Sequence, residues 1–248
     1  LGDRAGMRAC LRNLGYTATR AGRYEEAAHW LEQALQLARS LKQVAGEAWS
    51  LVALAEVEAR RGHPLEAERH LAEIDALGSE MPATVRADVA LVRGELALAA
   101  SDFDALERVL AGLDASLCAT DAQVDTTRML LLARASLLKA AAVSGNERTA
   151  QGAISQLREA LRLAVSAARR ASAAQLALSL RDARRVLNSA LDQRRQLQHE
   201  ARKARPKQAA AEGGAPKSAS ARLLLALDAL PRAELASAYA RHVLELLG

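Results

Sequence analysis

Leu14-Gly15, Gly22-Arg23-Tyr24-Glu25-Glu26-Ala27, Leu31 and Ala34 return 40 residues later as Leu54-Ala55, Gly62-His63-Pro64-Leu65-Glu66-Ala67, Leu71 and Ile74. A fixed step of this size marks stacked copies of one helical hairpin, because a single hairpin cannot bury its apolar face without a neighbour. A third, weaker copy follows at a step of 39: Gly94 stands where Gly15 does, and Ser101-Asp102-Phe103 replaces the glycine turn. Leu106, Leu110 and Leu113 then keep the later spacing. The product of such stacking is a surface for binding.

Composition agrees with this pattern. Half of the 248 residues are hydrophobic, yet there are only one Phe, three Tyr and two Trp, so the interior must be built from Ala and Leu. These are the strongest helix formers, and small side chains let helix axes approach to about 8 Å. β-Branched runs with period-two alternation are missing, so the expected class is all-α. Cys10 and Cys118 lie far apart within helical patterns and read as buried free thiols rather than a disulfide. The longest apolar stretch, Met129 to Val143, is interrupted by Arg134 and Lys139. It falls short of the ~20 residues that a bilayer requires.

The first hairpin reads as helices over 5–20 and 24–40 joined at Ala21-Gly22-Arg23, the second as helices over 45–60 and on to Leu77 joined at Gly62-His63-Pro64. Gly22 and Gly62 suit the left-handed conformation that ends a helix, and Pro64 suits the first turn of the next. Beyond Thr120 a helix from Ala122 to Val143, a stop at Ser144-Gly145, a cap at Asn146 and a helix from Glu147 suggest a degenerate fourth hairpin packed through Ala153, Leu157 and Ala160. Leu176, Leu180, Ala183, Leu187, Ala190, Arg194, Leu197 and Ala201 alternate four and three apart, as in one long helix with a narrow apolar stripe. The chain thus divides into a three-hairpin array over 1–118, with a truncated repeat before the first hairpin, and a degenerate hairpin plus long basic helix over 119–204. A flexible linker over 205–220 and a helical segment over 221–248, broken at Pro231, complete it.

The spacing Leu11, Leu14-Gly15, Gly22, Tyr24, Ala27, Leu31, Ala34 resembles the tetratricopeptide repeat. That resemblance covers residues 5–77 best and weakens after 113. Repeats of that family are usually about 34 residues. The longer step here, with its Leu1-Gly2-Asp3-Arg4-Ala5-Gly6 opening, is similar to the variety in large bacterial regulators, among them multidomain Ser/Thr kinases, nucleotide cyclases and ATP-dependent transcriptional activators. The resemblance implies a right-handed solenoid of antiparallel hairpins whose first helices line a concave groove for a protein or peptide partner. Carried across, it nominates Arg12, Asn13, Tyr16 and Arg20 from the first copy and Trp49, Glu56 and Arg60 from the second. It equally offers Ala9 and Thr19 from the first copy, Val52 from the second, and Asp88, Leu91 and Glu95 from the third. It also implies a cytoplasmic signalling role. The family's Lys and Asn clamp for a peptide carboxylate is not reproduced, since only scattered Arg and Asn occur.

Charge divides the chain unevenly. Residues 1–120 carry 13 basic and 18 acidic side chains, whereas residues 121–248 carry 21 and 11. The excess gathers at Arg181, Arg184, Arg185, Arg194, Arg195, Arg202, Lys203, Arg205 and Lys207, a pattern that admits an acidic protein face or a nucleic acid as partner. No aromatic lies between Phe103 and Tyr239, so single-strand stacking has no platform and a solvated helix face is the simpler reading.

Chemistry is sparse. His29, His63, His70, His199 and His242 have no second His or Cys at metal-ligand spacing. Gly213-Gly214 lacks the Lys-Ser/Thr of a phosphate loop, and no nucleophile elbow occurs. We therefore expect no cofactor, metal, membrane span or catalytic centre in these residues. Because Leu1 falls mid-repeat and no initiator Met precedes it, we also expect further chain upstream, with room for another hairpin or for a kinase, cyclase or ATPase that this segment would serve as an accessory domain.

Overall fold

The computed structural model describes residues 3–78, 81–142 and 147–203, all of them helical or in turns with no strand among them. Two compact units divide the chain, Leu1–Cys118 and Ala119–Gly248.

The first unit holds three hairpins: α1 (Arg4–Arg20) with α2 (Tyr24–Ser40), α3 (Val44–Arg61) with α4 (Pro64–Ala76), and α5 (Ala83–Ala99) with α6 (Phe103–Ala111). Each pair is closed by a turn that the sequence encodes. Gly22 and Gly62 take φ of 76° and 81°, and Pro64 opens α4. The third turn uses Ser101 at φ 58° instead of glycine, and the Asp102 carboxylate then accepts the Ala105 amide at 2.9 Å to cap α6. Within hairpins α1 packs on α2, α3 on α4 and α5 on α6, and between hairpins α3 packs on α2, α1 and α5.

Close approach is the organising feature. A Cβ placed on Gly15 would stand 2.5 Å from Leu31 Cγ and 3.3 Å from the Ala27 carbonyl oxygen, so only hydrogen fits where α1 crosses α2. The second hairpin puts Ala55 at the same position, fully buried with Ala67 and Leu71. One continuous core joins Ala27, Leu31 and Leu35 of α2 to Leu51, Leu54 and Val57 of α3 and Val85 and Val89 of α5.

The second copy is covered where the first is open. Leu54 is 2% exposed and Ser50 0%, but their repeat equivalents Leu14 and Cys10 lie on the outer side of α1, Leu14 at 49%. This corrects the reading of Cys10 as buried; neither thiol is in a disulfide, and only Cys118 is enclosed. The physical reason is position in the stack: α3 has a hairpin on each side, and among the described residues α1 has one. A second irregularity lies beside α4, which has 13 residues against 17 in α2. A cleft of about 550 Å³ is lined by Ile74 and Asp75 of α4, Val85 and Val89 of α5, and Val109 of α6.

After α6 comes a short helix that the repeat pattern does not foresee, α7 (Ala115–Thr120), started by Asp114 Oδ1 accepting from the Ser116 amide at 2.7 Å. The second unit then packs α8 (Ala122–Ala141), α9 (Glu147–Ala173) and α10 (Ala177–Lys203) mutually, with Leu130, Leu157, Leu161, Ala183 and Leu187 in a shared core. The expected packing residues Ala153, Leu157 and Ala160 are all enclosed. At 27 residues α9 is much longer than a repeat helix, and it turns back at Gln175, φ 56°, into α10. So α10 closes a three-helix arrangement rather than simply extending a stack. The stop and cap at 144–146, the linker over 205–220 and the segment over 221–248 lie outside the described residues.

Gly15→Leu places a side chain where Leu31 already stands, and we expect a loss of about 1–3 kcal/mol in urea unfolding. Leu65→Ala, at an 83% exposed position, should stay within about 0.5 kcal/mol of the parent. Equal melting of both variants would place the crossing of α1 and α2 elsewhere.

Candidate functional site

α1, α3 and α5 are the first helices of successive hairpins, so equivalent positions stand side by side on one face. Arg12 of α1 lies over the Trp49 ring of α3, its Cζ 5.5 Å from the centroid. That is cation–π distance. Its Nε is buried and makes no hydrogen bond, which leaves a donor unmet at the heart of this face. One turn further along α1, Tyr16 packs against the core edge. Burial, then the nearby carboxylates of Glu56 and Asp88, push its phenol pKa upward against the opposing pull of Arg12 and Arg20. Tyr16 is therefore a neutral hydroxyl among four charged neighbours drawn from three helices.

On α3 the Arg60 guanidinium donates to Glu56 Oε1 at 2.8 Å. Burial disfavours the charge on Arg60, but Glu56, Glu95 of α5 and Tyr24 of α2 more than offset it and raise its pKa. Six of the seven nominated residues, Arg12, Tyr16, Arg20, Trp49, Glu56 and Arg60, are thus linked through contacts or fields on this face. Asn13, seven residues before Arg20 and so on the same side of α1, is exposed, and its backbone carbonyl accepts from the Thr17 hydroxyl at 2.8 Å. Asp88 and Glu95 join from the third copy. Thr19, Val52 and Leu91 do not, being enclosed in packing; Thr19 turns its hydroxyl back onto the Gly15 carbonyl at 2.8 Å.

Two polar clusters away from this face were not visible in the repeat pattern. Arg39 of α2 reaches Glu47 of α3 at 2.7 Å and Glu73 of α4 at 2.6 Å, tying one hairpin to the next. Its partners lie 8 and 34 residues away, so no local spacing announces the cluster. At the turn between α3 and α4, Glu58 accepts from Arg61 and from His63 Nδ1, both at 2.8 Å. Burial would raise the Glu58 pKa, but those two donors outweigh it and hold the carboxyl below its ordinary range. Here a signal existed in the i, i+3, i+5 placement of Glu58, Arg61 and His63.

The basic helix is less exposed in charge than in sequence. On α10, Arg185 pairs with Asp182 at 3.4 Å and Arg195 with Asp192 at 3.0 Å. Arg202 lies in α10, Lys203 is exposed at its end, and Arg205 and Lys207 lie outside the described residues. No group of three or more His, Cys, Asp or Glu side chains is placed to hold a metal ion among the described residues. Among them, too, no helix is long and apolar enough to cross a membrane.

Residues 7–74 match the family model of the tetratricopeptide repeat, which spans the first two hairpins and includes all seven nominated residues. No curated protein and no solved structure matches the chain.

Because Glu58 ionises more readily folded than unfolded, its contribution is fully present above the ordinary carboxylate value of about 4.3. It is lost as pH falls through the lower folded value. Glu58→Gln should cost about 1 kcal/mol at neutral pH, and urea midpoints of the two proteins should converge under acid. A difference that persists unchanged at low pH would overturn the assignment.

Proposed function

We propose that this tetratricopeptide-repeat segment, with the third hairpin beside it, is a protein-interaction scaffold that holds a peptide or protein segment across α1, α3 and α5. The observation that carries the reading is the gathering of Arg12, Tyr16, Arg20, Trp49, Glu56 and Arg60 on one face from two successive repeats, with Asp88 and Glu95 continuing it. Arg, Trp and Tyr are the residue types that anchor partners most often. The mechanism is pre-organised display. Each side chain is mounted on a helix fixed by hairpin packing, so little ordering entropy is lost when a partner arrives.

The segment itself is non-catalytic in this reading and acts as the docking or sensor arm of a larger bacterial signalling protein in the cytoplasm. A nucleic-acid partner for α10 is less well supported, because two of its arginines are already matched by neighbouring aspartates.

A random heptapeptide library displayed on phage and panned against the purified protein tests the reading. Binders should lose about tenfold or more in affinity to the Arg12→Ala, Arg20→Ala, Arg60→Ala triple variant while its melting curve stays cooperative. Binders that hold the variant as tightly as the parent would remove the face from consideration.

A further inference from the structure

The cleft of about 550 Å³ beside α5 has a floor and a rim of different chemistry. Ile74, Met81, Val85 and Val89 line it, and all four belong to the continuous core of the first unit. They are buried, Val85 completely, so the cleft is bottomed by packed hydrocarbon. Its volume falls within the range of about 300–1,000 Å³ typical of small-molecule pockets.

The rim is cationic. Arg86 and Arg93 of α5 and Arg108 of α6 line the cleft against one carboxylate, that of Asp75. Asp75 is taken by Arg93. The other two arginines meet neutral oxygens: Arg86 donates to the Met81 carbonyl, and Arg108 Nε donates to the Asp104 carbonyl at 3.3 Å. Both are exposed, and neither forms an ion pair among the described residues. A guanidinium carries five N–H donors, so these single bonds leave each with donors to offer. On α5, at about 100° per residue, Arg86, Ala90 and Arg93 fall on one side of the helix while Asp88, Leu91 and Glu95 fall on the other. The cleft therefore shares no residue with the face across α1, α3 and α5.

We propose that this cleft binds a free medium-chain aliphatic monocarboxylate, with its chain along Val85 and Val89 and its carboxylate among the rim arginines. Hydrocarbon laid against the floor gains up to about fourfold in affinity per buried methylene. Only an anion answers the unpaired arginines, and guanidinium and carboxylate can form two parallel hydrogen bonds. The four floor side chains offer no partner for peptide N–H and C=O groups, so a hydrocarbon chain suits them better than a peptide backbone. An alkylammonium of the same length would bring like charge to the rim.

Isothermal titration calorimetry of the full chain with acetate, hexanoate, octanoate and decanoate, each below its micelle concentration, tests this. Decyltrimethylammonium supplies the opposite charge on the same chain. Affinity should rise by about threefold to fourfold per methylene through the series, and decanoate should slow amide exchange around Val85 and Val89. At low ionic strength decyltrimethylammonium should bind about tenfold more weakly than decanoate. The Arg86→Gln, Arg108→Gln variant, altered only at exposed positions, should lose about tenfold for decanoate while still unfolding cooperatively. Ala90→Phe fills the cleft without changing its charge and should abolish decanoate binding. The Arg12→Ala, Arg20→Ala, Arg60→Ala variant should bind decanoate as the parent does, so failure of the cleft leaves the groove reading standing. Acetate binding as tightly as decanoate, or decyltrimethylammonium binding equally well, would overturn the proposal. So would decanoate binding that survives both cleft variants, or no decanoate binding at all.

Discussion

Leu31 rests where a side chain on Gly15 would be, and the first unit is built outward from that contact. The missing Cβ lets α1 cross α2 closely, and buried Ala55 does the equivalent work against Ala67 in the next copy. Because the crossing repeats, the outer faces of α1, α3 and α5 come into line, and side chains spaced a helix width apart form one surface. A bulkier residue at the crossing would separate the helices and misalign that surface along with the core. That surface therefore depends on a buried position that is no part of it.

An interior of Ala and Leu has a cost in specificity. Small aliphatic surfaces slide over one another with little penalty, so hydrophobic burial alone fixes the offset between hairpins weakly. Directional contacts supply the rest. Arg39 holds Glu47 and Glu73 at once, Arg8 lies on α3 where Gly46 leaves room for its guanidinium, and Glu58 gathers Arg61 and His63 at the turn. None of these side chains is among the residues proposed to meet a partner.

What could be read from the sequence was whatever repeats or acts locally. The period located the first two hairpins and the glycine and proline positions located their turns, while the resemblance to the tetratricopeptide repeat nominated Arg12, Tyr16, Trp49 and Glu56. What escaped depends on distance or on place in the stack. Arg39 finds its partners across helix boundaries, and no pattern within one helix encodes that. Cys10 and Leu14 occupy positions that are enclosed in the second copy, yet they stand open because covering is a property of neighbours and not of the residue. The short helix α7 follows from a single Asp cap that resembles many others.

The early end of α4 gives the first unit an uneven stiffness. α4 packs on α5 much more sparsely than α2 does on α3, and the cleft beside α5 is lined by Arg93 and Asp75, which pair with one another. Fewer apolar contacts at one joint mean a lower free energy for local opening there, so amide exchange should accelerate first around Gly78 and the start of α5. The third hairpin is thereby the part of the first unit freest to shift against its neighbours.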